Sequence, residues 1–132
     1  MIDYESIVKK AMSRGKVVID ENLESLIPEI QNRNIVVITP HKGMKDDDIK
    51  SKILAGRVFI TNNSEDFIKD ATSYEYGIVS TEKIKFKDPK SLSKVISNAI
   101  IDFNLWSLIN SNRCFILYLK NDNKHILKYL ED

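Results

Sequence analysis

The sequence predicts an α/β fold, with three layers in the order α/β/α around a mostly parallel sheet of about five strands. Five short runs are apolar throughout, and stretches with helical spacing of apolar residues separate them. Strands that are apolar on both faces and alternate with helices are typical of a parallel sheet covered on both sides. The 132 residues contain no internal repeat or linker, so we expect one domain over residues 1–132.

The composition limits the class of protein. With 42% hydrophobic and 30% charged residues, the chain has the composition of an ordinary soluble globular protein. No apolar run reaches the ~18 residues of a membrane span, and the opening "MIDYESIVKK" lacks the apolar segment of a signal peptide. The single cysteine, Cys114, suits a reducing compartment, and we expect a cytoplasmic protein without membrane contacts. A net charge of +1 argues against bulk coating of nucleic acid but not against one local groove.

The first half of the chain predicts helices and strands in alternation. The apolar pattern places a helix over residues 3–14, closed by Gly15, and a short strand over 16–20. A second helix over 23–32 contains Pro28, which predicts a kink or a restart. A second strand covers 34–39, and Asp46 is the predicted cap of a helix that carries Ile49, Ile53 and Leu54.

The second half continues the alternation. "RVFIT" (57–61), "YGIVS" (76–80) and "RCFILYL" (113–119) are the third, fourth and fifth predicted strands. A long helix spans residues 90–110, and a short terminal helix carries Ile126, Leu127 and Leu130. Right-handed crossovers place the ends of successive strands on one edge, where ligands of such sheets bind.

Polar and acidic residues follow three of these strand regions. They are Asp20 with Glu21; Asp46, Asp47 and Asp48; and Thr61, Asn63 and Asp66. Carboxylates brought close together raise one another's pKa, and a divalent cation relieves that conflict. Hard oxygen ligands select Mg²⁺ or Mn²⁺, and no His or Cys cluster suggests zinc. Such a site suits phosphodiester hydrolysis, in which the metal activates water and neutralises the leaving oxygen.

The motifs "IDENL", "DDDI", "VFITNNSEDF" and "YGIV", in this order, resemble the PIN-like fold over roughly residues 16–80. The similarity is to its small toxin-like branch, which carries Asp-Glu-Asn-Leu after the first strand. The resemblance implies a metal-dependent ribonuclease, the toxin of a toxin–antitoxin pair, with RNA as substrate and a small antitoxin as partner.

The same resemblance implies roles for individual residues. Asp20 resembles the first-strand carboxylate that binds metal, and Asp46 the acid of the following helix, with Asp47 and Asp48 leaving the register open. Thr61 matches the threonine that closes the third strand, and Asp66 with Phe67 matches the "DF" pair. Asn63 departs from the aspartate of many members, and a neutral amide ligand implies weaker metal affinity or fewer metals.

Each acidic group also has a structural interpretation. Asp20 is a candidate cap for the next helix, and Glu21 and the Asp46–Asp48 run complement helix dipoles. Asn22 is placed either to brace the first-strand carboxylate or to open the helix. Residues 61–66 are equally consistent with a strand end and an Asn- or Ser-capped helix.

Basic residues near the predicted edge are candidates for RNA contacts. His41 and Lys42 lie in the loop after the second strand, and a solvated loop is the alternative. Lys83, Lys85 and Lys87 alternate around Phe86, which predicts either an RNA track or a solvated edge strand protected by lysines. The helix with Phe103, Trp106 and Ile109 is apolar almost all round, so a homodimer face or an antitoxin groove stays open beside core packing.

Two other functions compete with the ribonuclease. One is a non-catalytic protein-binding module that keeps a PIN-like fold with a degenerate site, because Asn63 is neutral. The other is a receiver-like phosphoacceptor, because "VVIDE" also suits an acidic pair that binds Mg²⁺. A receiver requires a phosphorylatable Asp at the end of the third strand, and "VFITNN" offers none.

Overall fold

The computed structural model describes residues 17–32, 37–40, 43–84, 88–103, 105, 113–121 and 124–130. The predicted first helix over residues 3–14, Gly15, His41, Lys42, Lys85, Phe86, Lys87, Trp106 and Ile109 lie outside these residues.

A six-stranded sheet forms the centre of the described chain. Its strands are β1 (Val17–Ile19), β2 (Val37–Ile38), β3 (Val58–Thr61), β4 (Gly77–Lys83), β5 (Cys114–Lys120) and β6 (His125–Leu130). They lie in the order β2-β1-β3-β4-β5-β6, and only the β5–β6 pair is antiparallel. The prediction of a mostly parallel α/β sheet is therefore confirmed, with six strands in place of about five.

The terminal segment differs from its prediction. Residues His125–Leu130 form strand β6, not a short helix, and pair with β5 from Leu119↔His125 to Cys114↔Leu130. The Lys120 amide donates to the Lys124 carbonyl at 2.8 Å, which continues the pairing beyond Leu119↔His125. Apolar residues 126, 127 and 130 fit either period, and the hydrogen bonds that β5 offers decide for the strand.

Helices connect the strands and cover the sheet. A 3₁₀ segment, Glu21–Leu26, leads into the helix Ile27–Gln31, where Pro28 stands in the first turn, so Pro28 marks a restart. The helix Asp46–Asp48 continues as a π-helix over Ile49–Leu54, and its cap position is Lys45, so the prediction that Asp46 is the cap is wrong. The remaining described helices are Glu65–Ile68, Ala71–Tyr74 and Pro89–Asp102.

The sheet separates two apolar clusters, as a three-layer α/β/α arrangement requires. Val17, Ile19 and Ile60 face the cluster that contains residues of the long helix Pro89–Asp102. Val18 and Phe59 face the other cluster, which includes residues of the segments between 49 and 71. All five side chains are at most 1% exposed. Burial on both faces explains why these strands have no polar alternation.

Candidate functional site: an acidic cleft at the ends of β1 and β3

A cleft of about 170 Å³ opens where strands β1 and β3 end. The chain leaves β1 for β2 on one side and later returns to β3 on the other, so the strand order reverses beside β1. Parallel sheets bind ligands in the crevice that this reversal leaves. The described polar lining residues are Asp20, Glu21, Asn22, Asp46, Asn63 and Asp66. The folded chain therefore brings together six residues that the sequence singled out, of which the two farthest apart in the chain, Asp20 and Asp66, are separated by 46 positions.

Asp20 is fixed by three hydrogen bonds. Its backbone amide donates to the Ile60 carbonyl at 3.0 Å and so extends the pairing of β1 with β3. One carboxylate oxygen, Oδ2, accepts from the Thr61 hydroxyl at 2.9 Å. The other, Oδ1, accepts from the backbone N–H of Asn22 at 3.3 Å. Asp20 is thus the cap of the 3₁₀ segment, as its structural interpretation predicts, and it also lines the cleft. Each oxygen keeps lone-pair capacity for another ligand.

The loop after β3 is held by polar contacts at both of its ends. The hydroxyl of buried Thr61, which donates to Asp20, also accepts from the backbone N–H of Asn63 at 3.0 Å. The Ser64 amide donates to Glu82 Oε1 at 2.5 Å, and Glu82 lies near the end of the adjacent strand β4. These bonds orient the loop that carries Asn63 and the start of the helix that carries Asp66.

The three consecutive acids at Asp46–Asp48 have different surroundings. Asp46 lines the cleft. The Asp47 carbonyl accepts from the Ser51 hydroxyl at 2.9 Å, and its side chain is exposed outside the cleft lining. Asp48 forms an exposed pair with Lys52 at 3.6 Å, one helical turn away. Among these acids, only Asp46 is a described neighbour of Asp20 in the cleft.

An apolar wall completes the cleft. It is built by Pro40, Met44, Ile49, Phe59 and Phe67. The rings of Phe59 and Phe67 pack with centroids 4.6 Å apart at a tilt of 52°, a favourable aromatic arrangement. The Tyr76 hydroxyl donates to the Phe67 carbonyl, and burial raises the pKa of Tyr76. The wall is therefore rigidly supported from below.

Lys50 is a buried charge behind this wall that sequence reasoning missed. Its side chain is 4% exposed, and Nζ lies 2.8 Å from Asp70 Oδ2 and 5.3 Å from the centre of the Phe67 ring. The hydrogen bond from Lys50 lowers the pKa of Asp70. The pair ties the π-helix that follows Asp46 to the segment that follows Asp66. Lys50 lies at helical spacing with the apolar residues Ile53 and Leu54, whereas Lys52 does not, so helical periodicity is the signal that could have identified the buried lysine.

The donor set suits a hard cation, since all six polar lining residues offer carboxylate or amide oxygens. Within the described residues, no group of three or more His, Cys, Asp or Glu side chains lies close enough to hold a metal ion. Mg²⁺ commonly takes only one or two carboxylates and keeps several waters. The described geometry thus fits an ion held by few direct protein ligands.

Other residues chosen from the sequence lie elsewhere. Lys83 ends β4, which lies between β3 and β5, so the alternative of an edge strand at this point is wrong. Cys114 is buried in β5, and its thiol contacts the Ala71 carbonyl at 3.4 Å. His125 opens β6, where its ring packs edge-on against Phe103 with centroids 5.0 Å apart. In the described part of the chain, no helix is long and apolar enough to cross a membrane.

Comparison with known proteins leaves the fold and the site to be judged on their own geometry. No family model, curated protein or solved structure matches this chain.

Proposed function

We propose that this protein is a metal-dependent ribonuclease of PIN-like type that hydrolyses RNA phosphodiester bonds. The observation that carries the proposal is the Asp20 carboxylate, held by Thr61 and Asn22 in a cleft that it shares with Asp46, Asn63 and Asp66. The order of these residues along the chain matches the PIN-like resemblance, and the strand ends that carry Asp20 and Thr61 are adjacent. Because one fold serves many functions, the cleft and not the fold carries the proposed nuclease function.

The chain's own residues prepare the cleft for a divalent ion. Asp20, Asp46, Asn63 and Asp66 are the side chains that would hold Mg²⁺ or Mn²⁺, one or two of the carboxylates directly and the others through waters on the ion, and Glu21 and Asn22 stand beside them at the end of β1. When bound, such an ion supplies Lewis-acid stabilisation and lowers the pKa of water. The Thr61 hydroxyl keeps one Asp20 oxygen in a fixed position, so little reorganisation is needed when charge develops.

The same resemblance supports a role as the toxin of a toxin–antitoxin pair, with a small antitoxin as its protein partner. A toxic ribonuclease needs an inhibitor that covers the cleft or its RNA path. Since the cleft is lined by four carboxylates, Asp20, Glu21, Asp46 and Asp66, an antitoxin that presents a cation there would complement it.

A catalytically degenerate protein-binding module is the second candidate. Two observations favour it: Asn63 is neutral, and no described group of three acidic or metal-ligating side chains is close enough to hold an ion. A receiver-like phosphoacceptor has less support, since β3 ends at Thr61, whose buried hydroxyl is already bonded to Asp20. Acetyl phosphate labelling of the protein would revive it.

Cleavage of a fluorescent RNA panel in Mn²⁺ tests the nuclease directly. Wild type should cleave, and Asp20→Asn should lose at least about 10³-fold in rate, since one preorganised electrostatic contact is worth roughly 10²–10³ and Asp20 also holds the ion. Asp102→Asn, an exposed acid at the end of the helix Pro89–Asp102, removes the same charge and should leave the rate unchanged.

The register of the acidic run is tested in the same assay. Asp46→Asn should lower the rate more than Asp47→Asn, because only Asp46 lines the cleft. Full activity of Asp20→Asn would overturn the proposal. Absence of cleavage by wild type across the RNA panel would favour the binding module, and capture of protein partners would then be the next experiment.

A further inference from the structure

Two lysines converge on one aromatic ring in the part of the sheet that includes β4, β5 and β6. The Nζ atom of Lys83, at the end of β4, lies 4.7 Å from the centre of the Tyr118 ring. The Nζ atom of Lys128, on β6, lies 5.7 Å from the same centre. Both distances fall within cation–π range, about 6 Å. The ring therefore fixes the positions of two ammonium groups that would otherwise spread into solvent.

The antiparallel strand β6 creates this arrangement. Lys128 pairs with Ile116 in the sheet, so its side chain emerges on the same face as Ile116 and Tyr118. On the other side of β5, Ser80 pairs with Tyr118 and Lys83 with Lys120, which brings a third lysine to the neighbouring position. A terminal helix in place of β6 would not bring Lys128 into register with β5. The three lysines and Tyr118 are called the lysine cluster below.

No acid in the described part of the chain forms an ion pair with the lysine cluster. Among the described residues, ion pairs form only between Lys50 and Asp70 and between Lys52 and Asp48. Lys83 and Lys128 are exposed, and Lys120 is half-buried. The first two ammonium groups lie within about 10 Å of each other, roughly the Debye length in 0.1 M salt, so their fields add at a site between them.

The cleft itself needs such a neighbour if it is to accept RNA. Its described lining contains four carboxylates and no lysine or arginine, so it repels a phosphate backbone on its own. Strands in a sheet are about 4.8 Å apart, which puts β5 only about 10 Å from β3 across the sheet. Lys83 and Lys120 end β4 and β5, at the same carboxyl edge as the cleft.

We propose that Lys83 and Lys128, held over Tyr118, bind phosphates of an RNA strand that also reaches the acidic cleft, which presupposes the nuclease function proposed above. Phosphate contacts of this kind position the strand and give no sequence preference. The half-buried Tyr118 serves as the platform that orders both lysines, and Lys120 adds positive charge beside them.

Binding is measured without cleavage in order to separate the two proposals. Full-length protein in EDTA is titrated into a fluorescein-labelled oligouridine, and anisotropy is followed across a KCl series. The Lys83→Gln/Lys128→Gln variant should bind at least about tenfold more weakly. The plot of log K against log[salt] has a negative slope, and the magnitude of this slope should fall by about 1.4, since each phosphate contact on a single strand contributes about 0.7.

The matched control is Lys52→Gln/Lys94→Gln. It removes the same charge from two exposed lysines on separate helical segments, and it should change the affinity less than about twofold. Thermal midpoints of both variants verify that they fold. Tyr118→Leu should weaken binding without changing the salt slope, because both charges remain but are no longer held in place.

Each result has a definite consequence. The proposal that the lysine cluster binds RNA would be overturned by equal losses of RNA affinity in both double variants, by no loss in either, or by no RNA binding of wild type. It would also be overturned if the Lys83→Gln/Lys128→Gln variant lost binding to vesicles that contain phosphatidylserine while its RNA affinity stayed unchanged. The partner of the cluster would then be a lipid surface. Specific RNA binding without Mn²⁺-dependent cleavage would support the cluster and refute the nuclease. Mn²⁺-dependent cleavage by wild type, together with unchanged RNA affinity of the Lys83→Gln/Lys128→Gln variant, would support the nuclease and refute RNA binding by the cluster.

Discussion

The sheet has two halves of opposite character. At β1 and β3, strands that are at most 1% exposed end in the acidic cleft. At β4, β5 and β6, the strands carry a half-buried tyrosine and two exposed lysines, and the last strand has one free edge in the described sheet. The comparison teaches that the buried interior strands hold carboxylates in fixed positions, whereas the outer strands present positive charge that no described acid pairs with.

The largest expected effect is a difference in stability between β5, an interior strand of the sheet, and β6, the outermost strand of the same half. Leu117 on β5 is fully buried, whereas its partner across the ladder, Leu127 on β6, is half-buried against the same apolar cluster. Leu117→Ala should lower the free energy of unfolding by about 2–5 kcal/mol, the cost of a cavity in a packed core. Leu127→Ala should cost about 1 kcal/mol, because less apolar surface returns to water. Urea unfolding measures both, and equal losses would show that β6 is as deeply packed as the interior strands.

A smaller effect is expected from a single hydroxyl in the acidic half. Thr61→Val keeps the shape of the side chain but removes the donor to Asp20 and the acceptor for the Asn63 amide. Unfolding free energy should fall by about 1–2 kcal/mol, and the cleavage rate by about tenfold, because Asp20 loses one of its two fixed oxygens. Thr61→Ser restores the hydroxyl and should recover most of the rate. Unequal recovery of stability and rate would separate the structural role of Thr61 from its role in orienting Asp20.

Much of the acidic half could be predicted from the sequence. Short β-branched runs followed directly by acids predicted strands, and parallel crossovers then bring their ends to one edge. Asp20, Asp46, Asn63 and Asp66 share a cleft for that reason. The bond from Thr61 to Asp20 joins residues 41 positions apart, and only the register of β1 against β3 fixes its geometry.

The parts that could not be predicted depend on tertiary contacts. The segment "HILKYL" has apolar residues that suit a helix or a strand, and the free edge of β5 decides between them. Lys50 shares the apolar face of its helical segment, but its ion pair with Asp70, 20 positions away, depends on tertiary packing. Glu82 was missed as well, although an acid near the end of the strand beside β3 is a signal that could have identified it as a partner for the following loop.

The central claim is that the acidic half binds a divalent ion through Asp20. The most direct test is the thermal midpoint of wild type and Asp20→Asn, each in EDTA and in Mn²⁺. An ion that binds the folded state stabilises it by mass action, roughly 2.7 kcal/mol at a hundredfold excess over Kd. The account predicts a rise in the wild-type midpoint with Mn²⁺, little or no rise for the variant, and a variant midpoint in EDTA equal to or above that of wild type. A wild-type midpoint that does not move, or an equal rise in both proteins, would contradict it.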